Sequence, residues 1–85
     1  MKKTELLLII EEIEMKILRL RISLKKVERD IVALNNFYNL KKRASIAPFV
    51  QTELKKRNLM QSDVQIMIAE MLQSKFYFQQ LLKNN

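Results

Sequence analysis

The residues of this chain that could take part in catalysis or metal binding are few, and almost all of them are carboxylates. Glu11, Glu12 and Glu14 lie near the N-terminus, and Asp63 and Glu70 follow much later. The chain has no histidine and no cysteine, which removes the commonest general base, the thiolate nucleophile and the usual zinc ligands. We therefore interpret these carboxylates as a solvated acidic face, and we predict a non-enzymatic protein without a metal site or a cofactor.

Lysine and arginine are concentrated in the middle of the chain. Residues 16–57 hold twelve of them against three acids, whereas the remainder holds four against six acids, for a net charge of +7. A concentration of positive charge attracts polyanions, because each neutralised phosphate releases condensed counterions. The residues predicted to contact nucleic-acid phosphates are Lys25, Lys26, Arg29, Lys41, Lys42, Arg43, Lys55, Lys56 and Arg57. The alternatives are a solvated surface that keeps an oligomer soluble, and binding to an acidic protein or lipid surface.

The element that carries many of these charges is a long helix with an apolar seam. Ten residues between Leu6 and Tyr38 follow one another at alternating spacings of four and three. This alternation is typical of a coiled coil and predicts one helix over residues 4–38. The seam residues are Leu6, Ile10, Ile13, Ile17, Leu20, Leu24, Val27, Ile31, Leu34 and Tyr38.

The seam also predicts self-association, with a dimer as the first choice. Isoleucine dominates one of the two seam positions and leucine the other, which favours two parallel strands. The charges beside the seam do not favour that orientation, because a parallel pair sets Lys16 of one chain against Arg21 of the other. We therefore leave the orientation of the oligomer open. The residues predicted at its interface are Ile10, Ile13, Ile17, Leu20, Leu24, Val27, Ile31 and Leu34.

A second apolar stripe lies on another face of the same helix. It consists of Leu8, Met15, Leu18 and Ile22. Each apolar face of a helix is expected to be buried against a neighbour. We therefore expect one face to pack against the rest of the chain and the other against a second subunit or another protein. The stripe supports an alternative function, that of a protein-interaction module such as an inhibitor, adaptor or assembly chaperone.

The second half of the chain is predicted to fold back along the long helix. Pro48 disfavours helical backbone at the preceding residue, so residues 39–47 are predicted to form a connection. A short helix over residues 48–57 is expected to end at Asn58, and a third helix is expected over residues 62–83. Together these helices match the length of the first one. The 85 residues therefore predict one all-α domain, a helical hairpin.

Part of the second half looks like a helix-turn-helix. The stretches that carry this likeness are residues 54–59, 65–72 and 74–81. They resemble the motif of phage-type repressors, and the resemblance implies a recognition helix on which Ser74, Lys75 and Gln79 face bases. The likeness covers less than a third of the chain, and its turn lacks the usual glycine and is one residue short. Because no helix breaker intervenes, we expect residues 63–83 to remain one helix.

The chain offers no segment that would take it into or across a membrane. The apolar run over residues 6–10 follows Lys2 and Lys3 but ends at Glu11, and no run reaches the ~18 residues of a membrane span. We expect a cytoplasmic protein for which a membrane is not the partner. The sequence thus predicts a small basic helical protein of a phage- or plasmid-regulator kind, which self-associates and binds nucleic acid largely through phosphates.

Overall fold

The computed structural model describes residues 2–84, which form an all-α helical hairpin. Helix α1 spans Lys3–Lys41, helix α2 spans Ala47–Asn84, and residues 42–46 connect them. The helices pack against each other in a rod of 62 × 14 × 13 Å. The Cα radius of gyration is 19.0 Å, whereas a compact domain of this length has about 12 Å. The hairpin is therefore extended, and the described residues share one helix–helix interface.

Helix α1 is unbroken over the predicted residues 4–38 and continues three residues further. The three asparagines near its end do not stop it, because each costs less than about 0.7 kcal/mol relative to alanine. The helix ends where Lys42 takes a left-handed conformation with φ 43° and ψ 36°. The Lys42 N–H donates a hydrogen bond of 2.7 Å to the Tyr38 carbonyl oxygen, which closes the last turn.

The separate helices predicted over residues 48–57 and 62–83 are in fact one continuous helix, α2. Pro48 occupies the first turn, where its missing N–H removes no helical hydrogen bond. Asn58 does not act as a stop, since an asparagine inside a helix is only mildly unfavourable and contact with α1 supports the backbone on both sides of it. The break predicted between the two helices is therefore incorrect, although the fold-back along α1 is as expected.

The continuity of α2 also bears on the helix-turn-helix resemblance. Residues 65–82 contain no turn. Ser74 and Lys75 are half-buried, and the Lys75 Nζ lies 3.4 Å from a carboxylate oxygen of Glu14 on α1. This segment therefore packs along α1 and does not form a separate recognition helix.

The apolar seam of α1 faces α2 of the same chain. Leu6, Ile10, Ile13, Ile17 and Val27 are buried. The seam residues that are half-buried are Leu20, Leu24, Ile31 and Leu34. The residues predicted to join two copies are thus already covered within one hairpin. A second copy would have to displace α2 or use another surface, and self-association itself stays a prediction.

Helix α2 carries a matching seam that apolar residues alone do not reveal. Apart from Ala47, Glu53 and Ser74, its buried and half-buried positions recur at alternating spacings of four and three, as on α1. Three of them are polar: Arg57, Gln61 and Lys75. The full series is Val50, Leu54, Arg57, Gln61, Val64, Ile68, Met71, Lys75, Phe78 and Leu82. In the antiparallel hairpin the two series run in opposite directions, and the Glu14–Lys75 ion pair shows which positions of the two helices lie level with each other.

We predict that the alanine variant is the more stable of the two at Asn58, whereas the glycine variant is the more stable at Lys42. In the interior of α2, Asn58→Ala should be more stable than Asn58→Gly by about 1 kcal/mol. At the left-handed Lys42, Lys42→Gly should be more stable than Lys42→Ala by roughly the same amount. Urea unfolding followed by circular dichroism measures both pairs. A glycine preference at both positions would show that α2 is broken at Asn58.

We further predict that shortening Val27, which lies in the seam, destabilises the hairpin more than shortening Val32, which lies on its outer surface. Val27 is 6% exposed and Val32 is 57% exposed. Val27→Ala should lower the free energy of unfolding by about 1–2 kcal/mol. Val32→Ala should change it by less than about 0.5 kcal/mol. Equal losses in thermal or urea unfolding would contradict the assignment of these two faces.

Candidate nucleic-acid interface

The nine cationic residues predicted to contact phosphates all lie in the part of the rod nearest the connection. Lys41 ends α1, and Lys42 and Arg43 lie in the connection. With a rise of 1.5 Å per residue, Lys25 lies roughly 24 Å along α1 from Lys41, and Lys55 roughly 12 Å into α2. The nine residues therefore occupy well under half of the 62 Å rod. The acidic N-terminal segment lies toward the opposite end.

Two of the nine residues are engaged with a carboxylate. Glu53 accepts a hydrogen bond from the Arg57 guanidinium one helical turn away, and Arg57 is half-buried at the seam. The Lys56 Nζ lies 3.6 Å from the other oxygen of the Glu53 carboxylate. Arg57 is thus positioned by its own helix and turned toward α1, so it is the least suited of the nine to meet a phosphate.

The other seven cations are exposed. They are Lys25, Lys26, Arg29, Lys41, Lys42, Arg43 and Lys55. Over residues 2–84, none of them has a carboxylate oxygen within 4.0 Å. Without a paired carboxylate, their charge is available to a polyanion approaching from solution.

The hairpin has two broad sides, which we name after one residue on each. On the Met67 side, Lys16 and Arg19 of α1 line a shallow groove with Met67 and Glu70 of α2. On the Leu72 side, Glu14, Met15, Leu18 and Arg21 of α1 lie beside Leu72 and Lys75. Each side continues along the rod at every seventh residue, since the seams repeat with that period.

The Met67 side carries mixed charge near the connection. Every seventh residue before Glu70 gives Asp63, Lys56 and Phe49, and the same period on α1 places Lys26 there. Asp30 also lies on this side, because it lines one groove with Phe37, Phe49 and Arg57. The acids beside Lys26 and Lys56 would repel a phosphate backbone.

The Leu72 side has a more uniform positive potential near the connection. The seven-residue period assigns to it Lys25 and a carboxylate, Glu28, and Lys55 lies on the same side because it is four residues after Gln51 and three before Asn58. It also assigns to it several side-chain amides near the connection, among them Asn35, Gln51, Asn58 and Gln65. Amides donate hydrogen bonds to phosphate and sugar oxygens. Asn58, which was predicted to end a helix, lies inside α2, and the unbroken seven-residue spacing of that helix places these amides on one side.

The aromatic residues near the connection lie on the other side. Phe37 and Phe49 line the same groove, beside Leu34 of the seam, and both remain partly exposed. They extend the apolar end of the interface between the helices. Their distance from the amide-rich Leu72 side makes them poor candidates for stacking on bases bound there.

The outer face of α1 leaves its apolar stripe uncovered. The exposed fractions of Leu8, Met15, Leu18 and Ile22 are 60%, 47%, 52% and 62%. Met60 and Met67 of α2 are exposed as well. Large apolar surfaces of this extent are characteristic of contact with another protein.

The carboxylates form no candidate metal centre in the part of the chain that the structure describes. No three of them come together there as possible metal ligands, and Glu14 is occupied by its ion pair with Lys75. Neither helix of residues 2–84 is both long and apolar enough to cross a membrane.

We compared the chain with protein-family models, with curated proteins and with solved structures, and none of the three comparisons gave a match.

Proposed function

We propose that this chain is a non-enzymatic helical hairpin that self-associates and binds nucleic acid, largely through phosphates, with the part of the rod nearest its connection. The observation that carries the proposal is the group of seven exposed cations without paired carboxylates between Lys25 and Lys55. The binding surface is the Leu72 side, where Lys25 and Lys55 lie among the amides Asn35, Gln51, Asn58 and Gln65, together with Lys41, Lys42 and Arg43 of the adjoining end.

The chemistry of this surface favours contacts that do not depend on base sequence. Lysine and arginine supply point charges and donors to phosphate oxygens, and the amides add neutral donors along the same side. Lysines and amides along one side of a rod can contact the phosphate backbone without a helix entering a groove, and such contacts carry no information about the bases. We therefore expect similar affinities for unrelated sequences of equal length.

Binding should weaken steeply as salt concentration rises. A plot of log K against log salt should have a slope of roughly −4 to −6, because each contacted phosphate contributes about 0.9. The double variant Lys41→Glu with Arg43→Glu should lower affinity and reduce the size of the slope by about 2. Fluorescence anisotropy with a labelled generic oligonucleotide at several salt concentrations measures both quantities.

The matched control reverses two cations at the other end of the rod. Lys3→Glu with Lys83→Glu makes the same change in net charge, and both residues are exposed. This variant should retain most of the affinity if the surface near the connection is the binding site. Equal losses in the two double variants, or binding that does not change with salt, would contradict the proposal.

A second candidate function is that of a protein-interaction module. The exposed stripe Leu8, Met15, Leu18 and Ile22 favours it, because an amphipathic helix with an uncovered apolar face fits a groove between other helices. In that function the cations contribute to solubility and to steering of the partner, and the stripe supplies the buried contacts.

The two candidate functions predict different effects of a substitution in the apolar stripe and of substitutions at the cations. Leu18→Asp should abolish retention of a protein partner, whereas Leu59→Asp, at a similarly exposed leucine of α2, should leave it intact. Affinity capture with the tagged chain, followed by mass spectrometry of the retained protein, measures this. Loss of the same protein in the Lys41→Glu and Arg43→Glu variant would assign the interaction to charge instead.

A further inference from the structure

The exposed stripe of α1 has the spacing of a second seam. Leu8, Met15, Leu18 and Ile22 are separated by seven, three and four residues, which is the periodicity of the seam that packs on α2. Helical surfaces with this spacing pack side by side at small crossing angles. The outer face of α1 is therefore shaped for another long helix that lies along it.

The charges beside this stripe fall into two blocks of opposite sign. Residues 5–14 contain four glutamates and no lysine or arginine. Residues 16–26 contain five lysines and arginines and no acid. The blocks are similar in length and adjoin one another near the middle of the stripe. One α1 helix therefore carries both halves of a complementary pair.

We propose that the outer face of α1 binds the same face of a second copy of this chain, with the two α1 helices antiparallel. In that orientation the acidic block of each copy lies along the basic block of the other. A parallel arrangement would instead set like charges against each other. The result is a two-fold symmetric four-helix assembly with the α1 helices in the centre and the α2 helices outside.

The boundary between the two charge blocks selects the register of this contact, because each block lies along the opposite one only when the two-fold axis is close to that boundary. With the two-fold axis between residues 16 and 17, Met15 of each copy lies level with Leu18 of the other. In the same register Glu12 of each copy is level with Arg21 of the other, and Arg19, which is seven residues from Glu12 and lies on the same flank of the stripe, is about 3 Å from that level. Glu12 and Arg19 are both exposed, and neither belongs to an ion pair among residues 2–84. Both are thus available for the contact.

This inference rests on the self-association in the proposed function but not on nucleic-acid binding. The axis lies toward the acidic end of α1, so the two connections extend beyond the contact in opposite directions. Lys41, Lys42, Arg43 and Lys55 stay outside it, whereas Lys25 and Lys26 belong to the basic block that lies along the other copy. A defect in the contact can therefore be measured separately from a defect in phosphate binding.

The test is a pair of charge reversals measured alone and mixed. Glu12→Lys and Arg19→Glu should each raise the dimer dissociation constant by about tenfold or more, because two attractive pairs per dimer become repulsive. An equimolar mixture of the two variants should restore a dimer, since every reversed residue then faces an opposite charge. Sedimentation equilibrium over a range of concentrations, with helix content checked by circular dichroism, measures masses against the 10.2 kDa of one chain.

Three outcomes would overturn the inference. A wild-type chain of 10.2 kDa at every concentration would exclude the dimer. Self-association that survives both reversals would assign it to another surface. Loss in both variants without recovery in the mixture would exclude the antiparallel pairing. In all three cases the salt-dependent binding tested with the Lys41→Glu and Arg43→Glu variant would still decide the phosphate site independently.

Discussion

The hairpin depends on one interface, in which the seam of α1 lies along the seam of α2. Its two helices have no third layer to pack on, so most large apolar residues outside the seams in residues 2–84 are exposed, with Ile9 and Ile46 half-buried. The buried side chains are few and follow the seams: Leu6, Ile10, Ile13, Ile17, Val27, Val50 and Val64. Isolated helices gain most of their stability from an apolar face that is covered. The length and continuity of this interface therefore decide whether either helix forms.

The sequence predicted α1 more accurately than α2 for a physical reason. Every seam position of α1 is apolar or aromatic, so its periodicity is visible without knowledge of a neighbour. On α2 the same periodicity includes the polar residues Arg57, Gln61 and Lys75. The pattern of apolar residues alone is therefore interrupted at these three positions. These side chains remain at the seam because their polar ends reach partners or water while their stems pack, as Lys75 does with Glu14.

The sequence was sufficient to predict toward which end of the rod the candidate site lies, but not on which side of the rod. The order of the residues and the single fold-back were sufficient to bring Lys25 and Lys55 to the same end. Which side of the hairpin each one occupies depends on the register between the helices, and the polar seam residues of α2 concealed that register. Because this register was not visible in the sequence, Arg57 was grouped with Lys55 and Lys56, although its guanidinium is held by Glu53.

The dimensions of the rod affect how its size is measured. The backbone spans 62 × 14 × 13 Å, and an elongated particle of this kind experiences more friction in solution than a sphere of equal mass. A single hairpin will therefore elute from a gel-filtration column ahead of globular standards of 10.2 kDa and can be mistaken for a dimer. Light scattering or sedimentation equilibrium, which report mass without reference to shape, gives the number of chains directly.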